Sequence, residues 1–233
     1  ILVTSRVLSY REDDAWQLDA AQWPDFELAP FSEAKIESFI ETWYQQLEKL
    51  GQVANGHERS SRLRQAVARP DLWRLAKTPL LLTVMAMVHA RNNELPNARA
   101  RLYEEVVDLL LWRWEAIKIQ SRDGKETDLR QLLTQADLND IDLKQLLWQI
   151  AFDVHDSVGD DESEATADIP ESTLLRGLQK LHPDDDLNWA DQMIEIIKQR
   201  AGLLVEDTPG VYSFPHRTFQ EYLAGCHLVK GLQ

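Results

Sequence analysis

The 233-residue chain has a single cysteine, Cys226. No internal disulfide can form, which fits a reducing, cytoplasmic setting. One cysteine also rules out a thiolate metal cluster, and the six histidines show no HExxH spacing. No apolar run is long enough to cross a bilayer: the longest, around residues 80–88, is interrupted by Thr83. The start shows no charged-then-apolar signal segment. Basic charge is scarce as well. With 25 Lys and Arg against 39 Asp and Glu, the formal net charge is −14, which weighs against holding a nucleic-acid backbone. There is no nucleophile elbow of the Gly-x-Ser-x-Gly type. A P-loop is missing too: Gly124-Lys125 is the one Gly-Lys pair, Glu126 follows it, and Ile119 stands where the first glycine belongs. No repeat period or low-complexity tract appears.

What remains is enough apolar material for a core, 44% of residues against 27% charged, in one large domain or two small ones. The chain opens on Ile1-Leu2-Val3, a buried-strand pattern without lead-in, followed by Thr4, Ser5 and Arg6. A parallel strand needs neighbours and covering helices, so a missing front end is expected. The polar triplet is read two ways. It suits a phosphate contact beyond a strand's carboxyl end, with Arg6 as the charged fork, or it is a strand turning polar at solvent. Residues 26–29 predict a short strand closed by Pro30.

Helices come next. Ser32 caps a segment with Ile36, Phe39, Ile40, Trp43 and Leu47 on one face. Shorter helices are expected over 58–68 and from Pro70 through Leu75. Thr78-Pro79 opens a helix that is apolar nearly all round, with proline at the first helical position. His89, near its end, reads as structural. A long helix is expected over about 97–120.

In the last third, Leu143, Leu146, Leu147, Ile150, Ala151 and Val154 make a helical stripe, and Asp168-Ile-Pro-Glu171 predicts a second helix start. A third helix runs to about Ala201. Two short strands, 203–206 and 211–214, are joined by Asp207-Thr208-Pro209-Gly210, giving a hairpin. The acid-ended strand Leu203-Leu204-Val205-Glu206-Asp207 mimics a magnesium site but is better placed as a wing strand. Three helices followed by a hairpin is the order of a winged helix. A final helix carries Phe219, Tyr222, Leu223 and Cys226 on one stripe, so Cys226 reads as core. His216 sits off that stripe at the helix start, just after Pro215. It either caps and packs, or faces an anion at the helix N-terminus.

In combination, ILVTSR (1–6), LAPFSEAKIESFIETWY (28–44), LAKTPLLLTVMAMVH (75–89), LYEEVVDLLLWRW (102–114) and AGLLVEDTPGVYSFPHRTFQEYLAG (201–225) resemble the back half of a NACHT domain. NACHT domains belong to the STAND class of signalling NTPases. The resemblance implies a mainly α chain in three parts: residues 1–30 as the end of an α/β nucleotide-binding core, 31–96 as a helical domain, and 97–233 as a winged-helix domain with a small β-hairpin. It implies a nucleotide site to which this chain contributes Arg6 as γ-phosphate sensor, Pro79 against adenine, and His216 at the β-phosphate of ADP. The family often has glycine two residues before the proline, where this chain has Lys77.

By the same resemblance, the P-loop and magnesium site lie upstream and a sensor or effector region downstream. The cofactor is ADP or ATP, with magnesium in the full-length protein. This segment alone catalyses nothing, and self-association accompanies activation in signal transduction, innate immunity or defence. No membrane is involved. The competing readings are a winged-helix DNA-binding transcriptional regulator, reading DNA with residues 186–200, which carry Lys198 and Arg200 but also Asp186, Asp191 and Glu195, and a plain protein–protein adaptor.

Overall fold

The structure, a computed structural model, describes residues 18–19, 22–26, 29–112, 129–158, 167–200 and 203–231. The chain divides into two compact units, Ile1–Leu95 and Pro96–Gln233.

The described part of the first unit is helical. α1 (Glu33–Lys49) starts at Ser32, whose Oγ accepts the Lys35 N–H at 3.4 Å. This is the expected cap, satisfying one of the helix's orphan donors. The buried face runs through Ile36, Ile40 and Tyr44. Its axis therefore lies one position round from the predicted stripe, and Phe39, Trp43 and Leu47 are only half-buried. α2 (Gly56–Val67) begins two residues earlier than expected. Asn55 ahead of it is left-handed (φ 56°), and the Glu48 carboxylate caps Gly56 N–H at 3.0 Å from across the turn. Gly56 suits the close approach there: a Cβ would sit 3.0 Å from the Tyr44 carbonyl oxygen.

α3 (Pro70–Ala76) and α4 (Pro79–Asn92) both carry proline in the first turn, where its missing N–H costs nothing. α4 buries Leu81, Leu82, Val84, Met85, Ala86, Val88 and His89, as a helix enclosed on most sides must. It stops at Asn93, which is left-handed at φ 62°. Phe26, expected in a short strand, lies in irregular chain and is 89% exposed. The Ile1–Val3 strand and Arg6 lie outside the described residues.

The second unit opens with α5 (Arg99–Trp112). The predicted extension of this helix past Trp112 lies outside the described residues. α6 (Leu129–Gln135) was not expected. Its seven residues are too few to show a period, yet it buries Leu129, Leu132 and Leu133. α7 (Asp140–Val158) follows, with Leu143, Leu147 and Ile150 inward.

The segment 168–171 then departs from expectation. Ile169–Pro170 form a short strand, β1, and α8 (Glu171–Leu181) begins only at Glu171. The cause is Ile169. It is fully buried, and β1 pairs antiparallel with the last strand, Ile169 opposite Tyr212. Pro170, which lacks an N–H, is tolerated because β1 is an edge. Gly177 lets α8 close on α7: a Cβ there would come within 2.8 Å of Leu146 Cδ1.

α9 (Leu187–Arg200) is capped by Asp186, whose Oδ1 accepts Asn188 N–H at 2.8 Å and Trp189 N–H at 3.1 Å. Trp189 is buried and donates its indole N–H to Leu132 O at 2.9 Å, tying α9 to α6. The hairpin is β2 (Val205–Thr208) and β3 (Val211–Ser213) in a sheet ordered β1-β3-β2. Its turn is Pro209-Gly210 rather than the four residues expected. A bulge between Glu206 and Thr208 carries β2 two residues further, and Gly210 takes φ 79°, a conformation glycine adopts without strain. The wing is fastened to α8, with Glu171 N–H donating to Gly210 O at 2.8 Å. Last comes α10 (Arg217–Lys230), packed mainly against α7.

Candidate functional site

Strand β3 ends at buried Ser213, and buried Phe214 follows it. Pro215 has no N–H with which to continue the ladder, so pairing stops. His216 is extended (φ −158°, ψ 142°) and occupies the N-cap of α10. Its Nδ1 accepts the Thr218 backbone N–H at 3.2 Å and lies 2.9 Å from Thr218 Oγ1. Its carbonyl accepts the Phe219 N–H at 3.0 Å. Of the two readings of this residue, capping is therefore realised, but through Nδ1, which leaves Nε2 as the ring nitrogen that carries the proton. Capping and facing an anion are compatible on one imidazole.

The rest of the helix start is anchored to its surroundings. Phe219 is fully buried and meets the Tyr103 ring edge-on at 5.5 Å, and Tyr222 stacks on the same ring at 5.4 Å. Gln220, on the buried side, accepts the Ala167 N–H with Oε1 at 3.0 Å. Arg217 pairs with Glu221 at 3.0 Å, one turn on. No acidic residue stands in the first turn of α10, so no carboxylate of that turn competes with an external anion for the helix's positive pole.

Chemically, this is a donor set: a half-buried neutral imidazole N–H at a helix N-terminus. Nucleophilic chemistry finds no support nearby. Cys226 is hydrogen-bonded to Tyr222, and burial pushes its thiol pKa up. Burial, the Cys226 thiol and the carboxylates of Glu104 and Asp108 hold the Tyr222 phenol well above its ordinary value. Both groups are protonated at neutral pH. Among the described residues no cluster of His, Cys, Asp and Glu is arranged to hold a metal, and no helix is long and apolar enough to cross a membrane.

The other expected site residues lie apart in the chain. Pro79 is in the first unit, exposed at the first position of α4, and Thr78 before it makes no side-chain cap. Lys77 is exposed, and its carbonyl accepts the Phe31 N–H at 2.8 Å. Arg6 lies outside the described residues. Sequence reasoning missed Thr218 and Gln220. The signal was available in the peptide HRTFQE, since a hydroxyl two residues past an N-cap and a polar residue interrupting an apolar stripe both call for partners.

Helices α7, α8 and α9, with β1 between the first two and the β2–β3 wing after the third, define a winged helix-turn-helix domain. Residues 99–228 match the family described as the winged helix-turn-helix domain C-terminal to NACHT, and the chain belongs to that family. No curated protein and no solved structure matches the chain.

Proposed function

We propose that this chain is the regulatory part of a NACHT-type switch whose state is set by ADP or ATP, with the winged helix holding the ADP-bound, inactive form. The observation that carries the reading is His216. In a winged helix of this family, it presents a neutral imidazole N–H at a helix N-terminus without first-turn acids. That donor set fits the β-phosphate of a nucleoside diphosphate. In the same proposal Pro79, exposed at the start of α4, packs against the adenine ring, and Arg6 monitors the γ-phosphate.

A contact made only with the diphosphate-bound state biases a two-state equilibrium, and its loss on exchange frees the winged helix to move. A hydrogen bond to a charged group contributes roughly 1.5–3 kcal/mol, enough to shift a balanced switch more than tenfold. The phosphate-cradling and magnesium-binding parts, and any hydrolysis, belong in this proposal to the NACHT core.

The test is His216→Ala in a polypeptide that also carries the NACHT core. ADP should dissociate at least tenfold faster, and basal self-association should rise. An unchanged ADP release rate defeats the proposal. The DNA-binding alternative gains no support from α9, whose exposed side chains include Asp191 and Glu195 beside Asn188 and Gln192, where groove readers carry arginine, lysine and neutral polar groups.

A further inference from the structure

One residue supplies two donors to a single ring nitrogen. Thr218 N–H points at His216 Nδ1 from 3.2 Å, and Thr218 Oγ1 lies 2.9 Å from the same atom. A backbone N–H can only donate, so Nδ1 turns its lone pair toward Thr218 and carries no hydrogen. The hydroxyl must then donate as well. With Nδ1 bare, the ring is neutral and its one proton sits on Nε2.

We propose that Thr218 is a positioning residue that holds His216 in the neutral Nε2–H tautomer, so that the ring offers a hydrogen-bond donor rather than a lone pair to an anionic ligand at the start of α10. The opposite tautomer would present an acceptor to phosphate oxygens, which are acceptors themselves. The identity of the ligand rests on the nucleotide reading above, but the tautomer assignment does not. The same pair of bonds satisfies an orphan donor of the first helical turn, so capping α10 and setting the ring's polarity are one interaction. The buried neighbours Phe219 and Gln220 fix the turn that carries Thr218.

A long-range 1H–15N correlation spectrum of the full 233-residue chain reads the tautomer of each histidine. Wild type should show His216 as Nε2–H, and Thr218→Ser, which keeps the hydroxyl, should show the same. Thr218→Val keeps the shape and the backbone donor but loses the hydroxyl, so the Nδ1–H fraction should rise about fivefold, the effect of losing one neutral hydrogen bond. A wild-type ring protonated at Nδ1 overturns the proposal. So does a Thr218→Val spectrum with the wild-type tautomer ratio, or failure of serine to preserve it. The wild-type and serine arms stand even where the valine variant does not fold. No nucleotide enters this measurement. An Nε2–H ring alongside unaltered ADP release in His216→Ala would therefore sink the nucleotide reading and leave the assignment in place.

Discussion

Tyr44 on α1 and His89 on α4 meet in the interior of the first unit, joined by a 2.5 Å hydrogen bond between the phenol oxygen and Nδ1 and by an edge-on ring contact at 5.8 Å. Both are essentially fully buried. Burial pushes the phenol up to about 12, against a smaller opposing pull from Arg59. Burial, then the guanidinium groups of Arg59 and Arg62, push His89 down to about 4. The folded unit therefore accepts only the neutral imidazole. Above the ordinary value of 6.5 the ring is neutral in both folded and unfolded chains, and its contribution is fully present. As pH falls from 6.5 toward 4, the unfolded chain takes up the proton first and stability is lost, by about 3 kcal/mol in all. Urea unfolding between pH 4 and 7 should show this loss in wild type and a shallower slope in His89→Gln; parallel slopes would refute the assignment. Tyr44→Phe leaves a buried Nδ1 without its hydrogen-bond partner and should cost about 1–3 kcal/mol at neutral pH, measured in the same experiment.

At the scale of elements, the start of α10 depends on a side chain rather than on the backbone alone. Gln220 reaches across to the segment before β1 and satisfies Ala167 N–H. Gln220→Leu keeps the volume and orphans that buried donor. It should destabilise the chain by about 1–3 kcal/mol and raise the exchange rate of the Ala167 amide; protection equal to wild type would show that another acceptor takes over. This contact also marks what the sequence could reveal. Capping residues, first-turn prolines and apolar stripes located α1, α3, α4, α7 and the wing, because those signals are local. The register of α1 slipped because Tyr44, an aromatic with a polar tip, gave no hint that its partner lay 45 residues on. β1 was read as a helix cap because Asp-Ile-Pro-Glu carries cap chemistry, and only pairing with Tyr212, far along the chain, makes it a strand. At the candidate site, His216 was legible from Pro215 and the stripe that follows, whereas the role of Thr218 needed coordinates.

For the whole molecule, charge decides between the two functions that a winged helix most readily suggests. Duplex DNA is held largely by Lys and Arg neutralising phosphates, and each such contact steepens the salt dependence of binding. Here acidic residues exceed basic ones by 14, and the exposed side of α9, the helix that would enter the groove, carries Asp191 and Glu195. Asp186, a further acid of that region, is committed to capping α9. Placing those carboxylates against a phosphate backbone costs energy in proportion to proximity and is worst at low salt, the condition that favours ordinary DNA binders. Fluorescence anisotropy of a labelled duplex titrated with the chain at low ionic strength should therefore show no saturable rise, and neutralising Asp191 and Glu195 to Asn and Gln should not by itself create tight binding, because the chain as a whole stays strongly acidic. Saturable binding by the wild-type chain, with log affinity falling linearly against log salt, would instead place a basic surface among residues outside the described set and return the DNA reading to first place.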